Sequence, residues 1–107
     1  MSRLTLTYAG IPFEDNRVSG EEWQKLKPEI QPGHQLPILE VNGRVLSQSN
    51  AILRYCGKIA GLIPGDAFEA AKVNELVDGL EEVIAVFIPT FGIKGDLFQL
   101  RQALVAA

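Results

Sequence analysis

Apolar and polar positions follow two rhythms along the chain, and each rhythm predicts an element. Leu36-Pro37-Ile38-Leu39-Glu40-Val41 and Arg44-Val45-Leu46-Ser47 are short β-prone runs on either side of Asn42-Gly43. Asn-Gly between two such runs predicts a hairpin with a type I′ turn, because both residues tolerate positive φ. From about Ser49 the period becomes helical. Ile52, Tyr55, Cys56 and Ile59 fall on one face, and Gly61 is a reasonable stop. Asp66, with Glu69 three residues on, predicts a second helix start. Val73, Leu76, Val77, Leu80, Ile84 and Phe87 then recur at helical spacing, until Pro89 ends or kinks the helix. Asp96 is placed to cap a last helix with Leu97, Leu100 and Leu104 on one side.

The first residues fit two patterns. Leu4, Leu6 and Tyr8 alternate as in a strand, while Leu4 and Tyr8 also share one helix face. Gly10 suits a helix C-terminus. Ile11 to Val18 predicts a short strand. Ser19-Gly20-Glu21-Glu22 has capping-box spacing and predicts a helix to about Leu26, stopping before Pro28. A turn at Pro64-Gly65 divides the chain into a mixed first part and a helical second part.

Composition narrows the function. The chain has 107 residues, 47% apolar and 21% charged, which suits one small domain with a modest core. Its net charge is −3, and Lys and Arg form no cluster. Nucleic acid or an anionic membrane would need such a cluster, so neither partner is expected. No apolar run is long enough to span a membrane and no signal-type segment opens the chain, so a cytoplasmic location is expected. One cysteine, Cys56, and one histidine, His34, exclude an internal disulfide, a Cys-x-x-Cys pair and a standard zinc site. No metal is expected. Cys56 lies in an apolar helical stretch and reads as a buried, inert thiol. His34 reads as an exposed loop residue.

Two features carry candidate chemistry. Pro37 opens a strand, where it removes a ladder donor. It is either an ordinary trans proline at the strand start or a cis proline in a sharp turn. A cis bond would leave the backbone N–H and C=O of Leu36 outward, able to pair with an extended peptide. Gln48-Ser49 sits where a helix follows a strand, and free N–H groups there favour a carboxylate. The plainer alternative is that Ser47 or Ser49 only caps its own helix.

Taken together, Leu36-Pro37-Ile38, the Asn-Gly hairpin and Ser47-Gln48-Ser49-Asn50-Ala51-Ile52-Leu53-Arg54-Tyr55 stand in the order seen in glutathione transferases. Tyr8-Ala9-Gly10-Ile11-Pro12-Phe13-Glu14-Asp15 resembles that family's link from first helix to second strand, and Trp23 with Lys27 matches a Trp-x-x-x-Lys element. The helix around Ala71 to Glu82 resembles the start of the family's helical domain. The resemblance covers nearly the whole chain and is nearest to the tyrosine-type, sigma-like classes. It implies an α/β fold. A thioredoxin-like glutathione-binding domain lacking its first strand would span residues 1–63, and the first helices of an all-α domain residues 66–107.

The resemblance also implies roles. Leu36 would pair with the cysteinyl unit of glutathione, presented by cis-Pro37. Gln48 and Ser49 would hold the γ-glutamyl end. Trp23, Lys27 and Gln35 would meet the glycyl carboxylate. Glutathione would be the co-substrate of a transferase acting on small hydrophobic electrophiles, and a homodimer would be the assembly. Asp78 reads as a solvated acid, although in related enzymes an acidic residue in this region reaches the partner subunit's glutathione.

The family's thiol-activating tyrosine lies on the first strand. The contiguous match of Tyr8 to Pro12 makes residues 2–9 the end of the first helix, so Tyr8 does not fill that role and no catalytic residue is assigned. The chain is thus expected to be truncated at both ends, from an incomplete gene model, a splice form or a degenerate paralogue. A non-catalytic glutathione-binding or interaction module is the alternative function.

Overall fold

The computed structural model describes residues 1–30, 35–90 and 102. The chain forms two compact units, Met1–Ile63 and Pro64–Ala107. The first contains α1 (Ser2–Tyr8), α2 (Gly20–Leu26), a 3-10 turn (Lys27–Glu29), β1 (Ile38–Val41), β2 (Arg44–Ser47) and α3 (Ser49–Ile59). The second contains α4 (Ala67–Phe87) and a 3-10 turn over Ile88–Thr90. His34 lies outside the described residues, as does the helix expected around residues 96–104 except for residue 102.

The first unit is built on α3, against which α1 and both strands pack. The hairpin is antiparallel, with Ile38 opposite Ser47, Leu39 opposite Leu46, Glu40 opposite Val45 and Val41 opposite Arg44. Asn42 (φ 52°) and Gly43 (φ 75°) take the left-handed conformations that a two-residue I′ turn requires. Strand alternation sends Leu39 and Leu46 to one face. There they pack, with Ile11, against the buried Leu6, Ile52 and Cys56. Tyr55 and Ile59 share the predicted helix face but stay more open, at 37% and 46% exposure. Burial pushes the Cys56 thiol pKa up, which keeps it protonated and unreactive.

Residues 2–8 are helical, so the helical alternative for the N-terminus is the one adopted. A Schellman motif closes α1: Gly10 (φ 67°) donates its N–H to the Thr7 carbonyl, and Ile11 donates to the Leu6 carbonyl. The same motif closes α3, with Gly61 (φ 71°) donating to Lys58 and Leu62 to Gly57. Gly57 itself is buried, and a Cβ there would stand 3.3 Å from Ile63 Cδ1. Its missing side chain is what lets Ile63 close over the end of α3.

The strand expected over Ile11 to Val18 does not form. The described sheet has two strands, and they pair with each other. Residues 11–18 join neither open edge of that hairpin, and a segment without a ladder partner leaves its backbone groups to water. The segment is held by charge instead. Asp15 accepts hydrogen bonds from Arg3 Nε on α1 at 2.6 Å and from Arg17 Nε at 3.0 Å.

Two caps formed as the spacing predicted. Glu22 N–H donates to Ser19 Oγ at 3.2 Å, while Ser19 N–H donates to Glu22 Oε2 at 2.6 Å, which completes the capping box of α2. Glu69 N–H donates to Asp66 Oδ2 at 3.0 Å at the start of α4. At the other end, α4 gives way to a 3-10 turn containing Pro89, because proline has no N–H to continue the ladder.

Acid sensitivity follows from two of these carboxylates. The Arg3 and then the Arg17 hydrogen bonds hold the Asp15 pKa below 3.8. The Ser19 backbone N–H, then its side chain, holds that of Glu22 below 4.5. A carboxyl whose pKa is lower folded than unfolded stabilises the fold above its unfolded value and loses that effect as pH falls through its folded value. Thermal midpoints are therefore expected to fall on acidification below about pH 4. The double variant Asp15→Asn, Glu22→Gln should show a flatter profile in that window; an unchanged slope would count against both contacts as the source.

Candidate functional site

The hairpin register builds the candidate site. Ile38 opposite Ser47 is the last pair of the ladder, so the chain segments just beyond it, Leu36-Pro37 on one side and Gln48-Ser49 on the other, leave the sheet side by side. Gln35, Leu36, Pro37, Gln48 and Ser49 are all exposed. The Leu36–Pro37 peptide bond is cis.

Gln48 is the N-cap residue of α3, with φ 75° and ψ 115°. Left-handed backbone is rare for a residue with a side chain and costs roughly 1–3 kcal/mol. Such cost concentrates where a local geometry serves binding. No side chain caps α3. The first intrahelical bond runs from Ile52 N–H to the Gln48 carbonyl, so the N–H groups of the first turn and the positive end of the helix dipole face outward beside Gln48 and Ser49. The plain capping role open to Ser47 and Ser49 is therefore not what these residues do.

Trp23 and Lys27 form a second patch. They lie one helical turn apart, and Lys27 N–H donates to the Trp23 carbonyl. Trp23 is half-buried and Lys27 exposed. Among the described residues, α2 packs against its own 3-10 turn and not against α1, the hairpin or α3. The ladder register thus brings Leu36 and Pro37 beside Gln48 and Ser49. Asp78 is exposed on α4, in the other unit.

Sequence reading missed the backbone of Gln48, since glutamine carries no signal for positive φ. It also missed the Arg3–Asp15–Arg17 clip, whose members are spread over fifteen positions with no local pattern. Among the described residues no His, Cys, Asp and Glu group could hold a metal ion, and no helix is long and apolar enough to cross a membrane.

A hairpin that runs directly into an uncapped helix N-terminus, backed by a helix on the same face, is the layout of a thioredoxin-like ligand-binding domain. Residues 1–58 match the family model for the glutathione S-transferase N-terminal domain. The chain belongs to the glutathione S-transferase family, and its fold is that family's α/β domain followed by the start of a helical domain. It is 44% identical to probable glutathione S-transferase 7 of Caenorhabditis elegans, over 95% of this chain and 52% of that protein. It is 40% identical to the hematopoietic prostaglandin D synthase of Gallus gallus, over 79% of this chain and 42% of that one. The crystal structure of the glutathione S-transferase from Ascaris lumbricoides superposes with a TM-score of 0.86 at 38% identity, covering 98% of this chain and 53% of that one. The chain spans about half the length of the curated relatives it matches.

Proposed function

We propose that this chain carries the glutathione-binding half of a glutathione transferase. The observation behind the reading is the hairpin register, which sets the exposed Leu36-Pro37 segment beside the uncapped start of α3. Leu36 backbone pairs with the cysteinyl unit of glutathione, beside Pro37. The γ-glutamyl end, with its α-carboxylate, docks on the α3 N-terminus, where Gln48 and Ser49 add side-chain donors. Trp23, Lys27 and Gln35 meet the glycyl carboxylate, Lys27 through charge and the others as neutral donors. In the whole enzyme the glutathione thiol loses its proton and the sulfur displaces a leaving group from, or adds to, a small hydrophobic electrophile. A homodimer in the cytoplasm is the expected setting.

A second reading is a glutathione-binding module without catalysis. Tyr8 favours it. A tyrosine that lowers the thiol pKa must donate its hydroxyl to the sulfur, and Tyr8 instead lies on α1 with 77% of its surface exposed. No residue of this chain is assigned the catalytic role.

One pair of measurements tests both readings. Calorimetric titration of the purified chain with glutathione is expected to show binding, and an assay with glutathione and an aryl halide to show no turnover. Turnover would overturn the module reading in favour of a chain catalytic by itself. A folded chain with no binding would overturn both.

A further inference from the structure

The turn of the hairpin carries chemistry that the binding site does not use. We propose that Asn42 is a site of spontaneous deamidation, and that its isoaspartyl product opens the hairpin. Asn42 and Gly43 are both exposed. A Cβ built on Gly43 would meet no atom of the described residues within 4 Å, so none of them encloses the turn. Glycine also leaves its own amide nitrogen unshielded.

In the reaction, the Gly43 nitrogen attacks the side-chain carbonyl carbon of Asn42. The bond from that carbon to the side-chain nitrogen breaks, and ammonia leaves carrying the proton that the Gly43 nitrogen gives up. A five-membered succinimide remains. Solvent water then adds to one of its two carbonyl carbons, and the ring C–N bond at that carbon breaks. One opening leaves an aspartate in a normal backbone. The other routes the main chain through the side-chain carbon, giving isoaspartate with one extra backbone methylene. No oxidant or reductant is consumed.

The turn gates this step. In a type I′ turn the nitrogen after the first central residue points away from that residue's Cβ. Attack therefore needs the Asn42 backbone to rotate out of the turn, which opens the hairpin from its tip. That opening is cheap here. The four-pair hairpin packs on α3, which holds it, while Asn42, Gly43, Arg44 and Val45 at its tip are exposed, so the tip can fray locally. Leu39 and Leu46 are the strand residues packed on the buried core.

Once formed, isoaspartate blocks reclosure. Val41 and Arg44 pair directly across the two-residue loop, and an added backbone atom between them cannot fit the I′ geometry that fixes the register. The ladder is lost from the tip toward Ile38 and Ser47. On the reading above, this parts the two halves of the glutathione site, and the modification acts as a one-way loss of binding with age.

The test needs no glutathione. The full chain is kept in warm neutral buffer, beside the chain unfolded in urea and the variant Asn42→Gln. Mass spectrometry follows the peptide containing position 42, and enzymatic isoaspartyl methylation identifies the isomer. The folded chain should deamidate no more than about tenfold slower than the unfolded one, yielding isoaspartate, while Asn42→Gln stays intact. Amide hydrogen exchange along β1 and β2 should then be faster in the aged chain than in Asn42→Asp, which keeps the normal backbone. Protection beyond tenfold, or aged chain with the exchange pattern of Asn42→Asp, would overturn the proposal.

Discussion

Ile52→Ala is expected to lower the unfolding free energy of the Met1–Ile63 unit by about 3 kcal/mol, since truncating a buried isoleucine costs both transfer energy and the cavity left behind. Ile52 is 3% exposed and sits in the core with Leu6 and Cys56, while Leu39 and Leu46 reach it from the hairpin and Ile11 from the end of α1. Both α1 and the hairpin meet α3 at this point. A core this small supplies only about 3–5 kcal/mol in total, so the variant should be only marginally stable, with its unfolding midpoint near zero urea. Tyr55→Ala, on the same helix at 37% exposure, is the control and should cost about 1 kcal/mol or less. Urea unfolding followed by far-ultraviolet circular dichroism measures both. Equal midpoints for Ile52→Ala and the parent would refute Ile52 as the packing centre.

Gln48→Gly is expected to separate stability from binding. The φ of 75° at Gln48 costs a residue with a side chain about 1–3 kcal/mol, which glycine escapes. Glycine gives back about 0.5–1 kcal/mol through the extra freedom of the unfolded chain. Stability should therefore stay level or rise. Glutathione affinity should fall about tenfold to a hundredfold, because a side-chain hydrogen bond to a charged group is worth about 1.5–3 kcal/mol and 1.4 kcal/mol is a factor of ten. Both quantities come from one preparation, by thermal melting and calorimetry. A destabilised variant that binds glutathione as well as the parent would reverse the assignment and make Gln48 a structural residue.

Much of the fold was legible because its signals are local. Asn42-Gly43, Gly61, Ser19 with Glu22, and Asp66 with Glu69 each state a backbone requirement within a few residues, and each formed as read. Residues 1–9 were ambiguous because so short a stretch, with Leu4, Leu6 and Tyr8 apolar, satisfies both periods. Packing against α3 and the Gly10 closure settled them as helix. The segment from Ile11 to Val18 was misread for the opposite reason. A strand is not a property of its own residues, since its hydrogen bonds belong to a neighbour, and the two described strands pair with each other.

By itself, then, the sequence determined the hairpin, the helices with their caps and the order of motifs that marks the family, because those depend on contacts between near neighbours along the chain. Only the tertiary structure decided which candidate residues meet. It set Leu36 and Pro37 beside Gln48 and Ser49 through the ladder register and twisted the Gln48 backbone into a conformation no glutamine prefers alone. Those outcomes rest on pairing and packing between segments far apart in the chain, which no short stretch of residues can specify.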